Sequence, residues 1–405
     1  MRFAARMKDL GTETAFEVLA KAKALERQGR SVIHLEIGEP DFNTPEHIVE
    51  AGIRALRDGH THYTPSPGIP ELREAIAEHL TASRGAPVTP DQVVVTPGAK
   101  PIMFYAILAC VGPGDEALVP DPGFPIYASV VRFVGGVPVS VPLREEHAFR
   151  MQVEDVARRI TPRTRLLILN SPHNPCGSAL TRADLEGLAD LAVRHDLVVL
   201  ADEIYCEILY EGLHTSILAL PGMAERTVLL DGFSKTYAMT GWRLGYGAMP
   251  TALADHVARL MTNSNSCTAA FTQWAGVAAL RGPQDPSRKM TAEFRRRRDF
   301  LVPVLNAIPG VRCAMPPGAF YVFPNVTGLP VSAHEFADLL LQRYGVAVLA
   351  GTCFGDCGEG FLRLSYANSL ENLKKAADLM RAAASDLSPR RSGVRDMGSG
   401  EPGAA

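Results

Sequence analysis

The chain has 405 residues, of which 46% are hydrophobic and 21% charged, enough for two or three packed domains and too apolar for a disordered polymer. A formal net charge of −3 supplies no positive field to collect nucleic acid or anionic lipid, so polyanion binding is excluded as the main function. Seven scattered cysteines, the closest pair being Cys353 and Cys357, lack metal-ligand spacing and read as reduced thiols in a cytoplasmic protein without a metal site.

Taken in chain order, the N-terminal segment carries acids throughout and no apolar core of signal-peptide length, and no run reaches the roughly 18 apolar residues of a membrane helix. FEVLAKAKALERQG has helical periodicity and ends on Gly29, a residue suited to a helix C-cap. Between about residues 90 and 250, short apolar runs alternate with longer helical patterns: QVVVT, EALVP, RLLILN, LVVLAD, TVLLDG and RLGYGAM, with helices from Ala99 and from Asp184 to His195. That alternation predicts an α/β domain built on a mostly parallel sheet sandwiched by helices. From about residue 291 the pattern becomes a long charged helix, a strand AFYVF, a helix near Ala333 to Arg343, a strand FLRLSY and a helix from Ser369, which predicts a smaller α+β domain. Within the long helix, the basic run Arg295 to Arg298 reads as a solvated face. The expected division is an N-terminal segment 1–47 packing with the small domain, a large domain 48–290, a small domain 291–387 and a disordered tail 388–405.

Ligands of open α/β sheets sit beyond the carboxyl ends of the strands, and the residues there are rich in chemistry. SPHNPCG with Asn174 follows RLLILN, DEIYCE with Asp202 and Tyr205 follows VVLA, and FSKTYAMTGWRLGY with Ser234, Lys235 and Arg243 follows TVLLDG. Asp202 ends an apolar run, where a carboxylate is expensive to bury unless a cation meets it. PGAK opens a helix at Gly98, Ala99 and Lys100, whose backbone N–H groups point their positive end at any phosphate placed there. Arg363 lies on the apolar strand FLRLSYA and equally demands a partner.

The run GFSKTYAMTGWRLG, Gly232 to Gly245, resembles the lysine-attachment motif of class I and II aminotransferases, and IGEPDFNTP, HYTPSPGIPELREAIA, NSPHNPCG, DEIY, PPGAFY and FLRLSYA follow the same family's order. From about Thr14 to Leu387 the chain is similar to the aspartate-aminotransferase-like group of fold-type-I enzymes, which use pyridoxal 5'-phosphate. The resemblance implies a seven-stranded sheet, a Schiff base on Lys235, and transfer of an amino group between an L-amino acid and a 2-oxo acid by a ping-pong mechanism. It implies Asp202 on the pyridinium nitrogen, Tyr205 and Asn174 on the ring 3-oxygen, and Phe124 stacked on the ring. Gly98, Ala99, Lys100, Ser234 and Arg243 then bind phosphate, Lys100 through its backbone N–H, and Arg363, Gly38 and Asn174 take the substrate α-carboxylate. Tyr63 aligns with a tyrosine that reaches the phosphate in the neighbouring subunit, which implies a homodimer with shared sites. Cys176 stands where many relatives have threonine, Phe16 where aspartate-specific relatives carry a small hydroxyl residue, and no second arginine for a distal carboxylate is identifiable, which leaves the substrate open. A β-lyase or cyclopropane-forming synthase on the same fold would use the same lysine, aspartate and arginine. A sensor domain behind a DNA-binding module is the remaining alternative, and the match starting near Thr14 speaks against it.

Overall fold

Apolar runs that are buried on both faces leave no solvated side, so the strands of the central region must lie inside a helical sandwich. In the computed structural model, which describes residues 1–387, this is the arrangement, and the segment read above as a tail lies outside the described residues. A two-residue strand β1 (Ile33–His34) comes first, then β2 (Val93–Thr96), β3 (Glu116–Asp121), β4 (Val137–Pro142), β5 (Thr164–Asn170), β6 (Val198–Asp202), β7 (Thr227–Gly232) and β8 (Gly245–Ala248). Strands β2 to β8 form one seven-stranded sheet in the order β2-β8-β7-β6-β5-β3-β4, in which only β8 runs against its neighbours. Alternate residues of β5 feed different cores: Leu166 and Ile168 pack with Ile102, Tyr127 and Val228, whereas Leu167 and Leu169 pack with Leu185, Leu188 and Val199.

Strand β4 is absent from the runs singled out in the sequence. Its VPVSVP stretch pairs only with β3 and begins with exposed or half-buried residues, and an edge is the position where Pro138 and Pro142 are tolerated in a sheet. The remaining strands are short: β9 (Tyr321–Val322), β10 (Val346–Ala347), β11 (Leu349–Ala350) and β12 (Leu362–Ser365). They form an antiparallel sheet β11-β12-β9, while β10 pairs in parallel with β1. The first helix, Thr14–Arg27, gives way to Gly29 at φ +84°, the left-handed value that glycine adopts without penalty. Its Ala22 and Leu25 pack against Leu341 and Ala347, so the first helix docks on the region around β10.

The basic run on the helix Asp285–Asn306 departs from expectation. Arg295 and Arg296 are solvated, but Arg297 and Arg298 are buried, Arg298 with 2% of its surface exposed. Helical periodicity turns them inward, and each is matched there: Arg297 donates to Asp41 at 2.7 Å and Glu293 at 2.9 Å, and Arg298 pairs with Glu211 and Asp299 at 2.7 Å. No helix of the described residues is long and apolar enough to cross a membrane.

One buried ion cluster ties the helix Pro70–Arg84 to the sheet. Arg84 donates through Nε to Glu203 and through Nη2 to Asp231, both at 2.8 Å, and Ser216 donates to Glu203 at 2.6 Å. Glu203 directly follows Asp202 at the end of β6, and Asp231 lies on the neighbouring β7, so one guanidinium clamps the two strand ends. Burial pushes the Asp231 carboxyl up to about 6 despite this arginine. Replacing Arg84 by alanine leaves the buried Asp231 without its cation and Glu203 with only His214 and Ser216, and the expected loss of unfolding free energy is about 3–5 kcal/mol. Denaturant midpoints at unchanged m value measure it, and a loss below about 1 kcal/mol would show the cluster to be inert.

Candidate active site

Parallel strands deliver their carboxyl ends to the same edge of a sheet, and here the loops after β2, β3, β5, β6 and β7 enclose a pocket of about 480 Å³. The pocket is lined by Gly38, Ala99, Lys100, Phe124, Asn174, Asp202, Tyr205, Ser234, Lys235, Arg243 and Arg363. Eleven residues from seven separate stretches, singled out from sequence, thus share one cavity. Gly98 stands directly behind the wall at φ +88°, where an added Cβ would fall 2.1 Å from Nη2 of Arg243. Only glycine lets the guanidinium approach the start of the helix Lys100–Cys110. Arg243 is itself left-handed at φ +54°, a local strain sustained by donation from Nη1 to the Thr240 carbonyl at 2.8 Å. Tyr63 is the exception: it is 91% exposed and does not line the pocket of its own chain.

Asp202 is the last residue of β6 and is buried. One carboxylate oxygen accepts the Tyr127 hydroxyl at 2.5 Å and the other accepts the Ile204 N–H at 3.2 Å. Burial raises its pKa to about 6 against the lowering effect of these donors and of Lys235. Lys235, three residues past β7, donates to the Gly38 carbonyl at 2.5 Å, and desolvation lowers its pKa to about 8. Acid and amine are thus both shifted toward neutrality, the pattern of groups prepared for chemistry near neutral pH.

Arg363, on β12, is 4% exposed and lies between aromatic faces, 4.7 Å from the Tyr321 centroid and 4.8 Å from that of Phe354. It donates to Asn174 Oδ1 at 3.2 Å and to the Glu36 carbonyl, while its buried Nε has no hydrogen-bond partner. A fixed guanidinium with a donor to spare suits an incoming carboxylate. Lys100 does more than its backbone N–H was expected to do: its ammonium lies 5.4 Å from the Phe124 ring centroid and pairs with Glu13.

These residues fit pyridoxal phosphate on the structure's own terms. Asp202 is a buried carboxylate without a cation bonded to it, the Gly98 turn leaves backbone, Ser234 and Arg243 around one helix start, and Phe124 offers a ring at the wall. Several pocket residues escaped the sequence reading, Tyr127, Asn170 and Tyr321 among them. Tyr127 follows Phe124 by one helical turn in DPGFPIY, Asn170 ends RLLILN, and Tyr321 closes PPGAFY. Each was within a run already noted, but an aromatic or amide at an element boundary looks like ordinary packing until its partner is known. Asn170 holds the Asp202 carbonyl with Nδ2 at 3.0 Å and accepts the Asn174 N–H at 2.8 Å; the hydroxyls of Tyr321 and Tyr205 are 2.7 Å apart.

Comparison with known proteins agrees with this geometry. The family model described as aminotransferase class I and II matches residues 30–379. The chain is 42% identical over 353 residues to aromatic-amino-acid aminotransferase 2 of Thermococcus litoralis, covering 86% of this chain and 90% of that protein. It is 41% identical over 373 residues to the arginine–pyruvate transaminase of Pseudomonas aeruginosa, covering 92% and 95%. Among solved structures, the aspartate aminotransferase of Rhizobium meliloti superposes with a TM-score of 0.92 at 39% identity, covering 96% of this chain and all of that one (100%).

The Asp202 shift has a definite sign. Its folded pKa of about 6 lies above the ordinary 3.8, so the folded state holds the proton more tightly and stability falls as pH rises from about 4 through about 6. In cofactor-stripped protein at pH 7, Asp202→Asn should therefore raise the unfolding free energy, by about 2–3 kcal/mol, and flatten that part of the pH profile. Urea titrations across the window test this, and a variant less stable than the parent at pH 7 would contradict it.

Proposed function

The chain belongs to the class I and II aminotransferases, and from that premise we propose how its residues divide the transfer of an amino group between an L-amino acid and a 2-oxo acid. The observation that carries the proposal is the meeting of Asp202, Lys235 and Arg363 in one pocket. Pyridoxal phosphate, when bound, supplies an electron sink for the pair released at the substrate Cα.

Arg363 grips the substrate α-carboxylate with its fork and its unpartnered Nε, assisted by Asn174 and the Gly38 backbone. Lys235 anchors the cofactor and, once freed, takes the Cα proton on Nζ and returns it; a pKa lowered to about 8 by burial leaves a usable fraction of neutral amine at physiological pH. Asp202 supports the protonated ring nitrogen as a desolvated counter-charge, itself aligned by Tyr127. With the cofactor bound, Tyr205 and Asn174 would hold the ring oxygen, Phe124 would cover the ring, and Gly98, Ala99, Lys100, Ser234 and Arg243 would receive the phosphate.

Exposure of Tyr63 in the single chain supports a homodimer in which it completes the phosphate site of the partner subunit. Residues 48–290 act as the large domain, and 291–387 with the N-terminal segment 1–47 as the small one, since the first helix packs on Leu341 and Ala347. Seven unpaired cysteines support work in the reducing cytoplasm. The relatives' names favour amino-group transfer over lyase or synthase chemistry.

Mixed with amino acid alone, the enzyme should yield about one oxo acid per site and stop, with no continuous release of ammonia. Lys235→Ala should lose turnover by about 10⁴-fold or more, and Arg363→Ala should lower kcat/KM by about 10²-fold, chiefly through KM. A Lys235→Ala enzyme that turns over, or an Arg363→Ala enzyme with unchanged KM, would sink the respective role.

A further inference from the structure

The roles just proposed use up most of the charge in the pocket and leave part of its wall unassigned. Four cations line the wall: Lys100, Lys235, Arg243 and Arg363. On the reading above, Lys235 and Arg243 serve the cofactor and Arg363 the α-carboxylate. Lys100 is therefore the one lining cation left for a second substrate carboxylate, and its ammonium is already bonded to Glu13.

Glu13 immediately precedes the first helix and is the less exposed partner, at 19% against 49% for Lys100. Its negative charge, like that of Glu39, acts to raise the pKa of Lys235, which places both carboxylates in the field of the reacting centre. Glu39 accepts the Thr240 hydroxyl and, among the described residues, closes no ion pair of its own. Beside the ion pair, Ala15 and Phe16 contribute apolar surface. The leftover wall is thus a closed ion pair, an acidic group and an apolar patch.

We propose that this wall is a subsite for neutral, predominantly apolar side chains, aromatic ones included, and that Glu13, by occupying Lys100, makes the enzyme discriminate against amino acids and oxo acids with a side-chain carboxylate. An acidic side chain entering here would give up its water shell without gaining a free cation, and would approach Glu13 and Glu39 at like charge. A phenyl or isobutyl group loses no hydrogen bonds and buries apolar area against Phe16 and Ala15. The inference deepens the transaminase reading and rests on it, because the cation count holds only if Arg243 and Arg363 are committed as described.

The test is a set of single-turnover half-reactions of the holoenzyme with L-phenylalanine, L-leucine, L-aspartate and L-glutamate, followed by the change in cofactor absorbance. The expected wild-type kcat/KM for phenylalanine exceeds that for aspartate by about tenfold or more. Glu13→Gln releases Lys100 and should raise the aspartate-to-phenylalanine ratio by about fivefold or more, and the double variant E13Q/K100M should return it. Glu13→Ser serves the same purpose if glutamine disturbs the start of the helix, with thermal melting as the control for folding. Aspartate reacting as fast as phenylalanine in the wild type overturns the proposal, as does a ratio unmoved by both Glu13 variants or a gain that survives loss of Lys100. Absence of reaction with all four amino acids overturns the selectivity, and only if arginine and alanine are also inert does the transaminase reading fall with it; fast reaction with aspartate overturns the selectivity alone.

Discussion

A carboxylate held out of water at the end of β6 is the constraint on which the rest of the site depends. Asp202 keeps its place because its backbone carbonyl accepts from Ser171 N–H and Asn170 Nδ2, and because Tyr127 aligns its side chain. The same bonds connect the loop after β5 to the end of β6, which brings Asn174, and through it Arg363, to the pocket. On the other side of Asp202, Arg84 joins Glu203 to Asp231, fixing β6 against the strand that leads to Lys235. Desolvation raises the pKa of Asp202 and lowers that of Lys235, so the folded state stores the tendency to put a cation beside the one and a neutral amine at the other.

How much of this was legible in the sequence follows from the physics of each element. Strands buried on both faces announce themselves, because QVVVT, RLLILN and TVLLDG have no solvent side on which to place polar residues. The edge strand β4 does not, since half of it faces water and it carries two prolines. The site residues at the strand ends were found because a carboxylate, an amide and an amine after apolar runs are costly unless used. Tyr127, Asn170 and Tyr321 were hidden because their role lies in a partner from a distant part of the chain. The inward turn of Arg297 and Arg298 was missed for the same reason: Asp41 and Glu211, which compensate them, lie far away in sequence.

The residues proposed for the transfer chemistry and those proposed for substrate choice come from different parts of the chain. Lys235, Asp202 and Arg363 sit on strands or beside them, where packing fixes their geometry, whereas Glu13, Ala15 and Phe16 come from the start of the first helix. Relatives of about 40% identity carry names that include aromatic, aspartate and arginine.

Everything proposed for the pocket turns on Lys235 as the group that holds the cofactor. Borohydride reduction of the enzyme loaded with pyridoxal phosphate, followed by proteolysis and mass spectrometry, locates the attachment directly. A pyridoxyl phosphate label on the peptide containing Lys235, near one per chain, is the result this account predicts. A label on Lys100 or on surface lysines with Lys235 unmodified would contradict it.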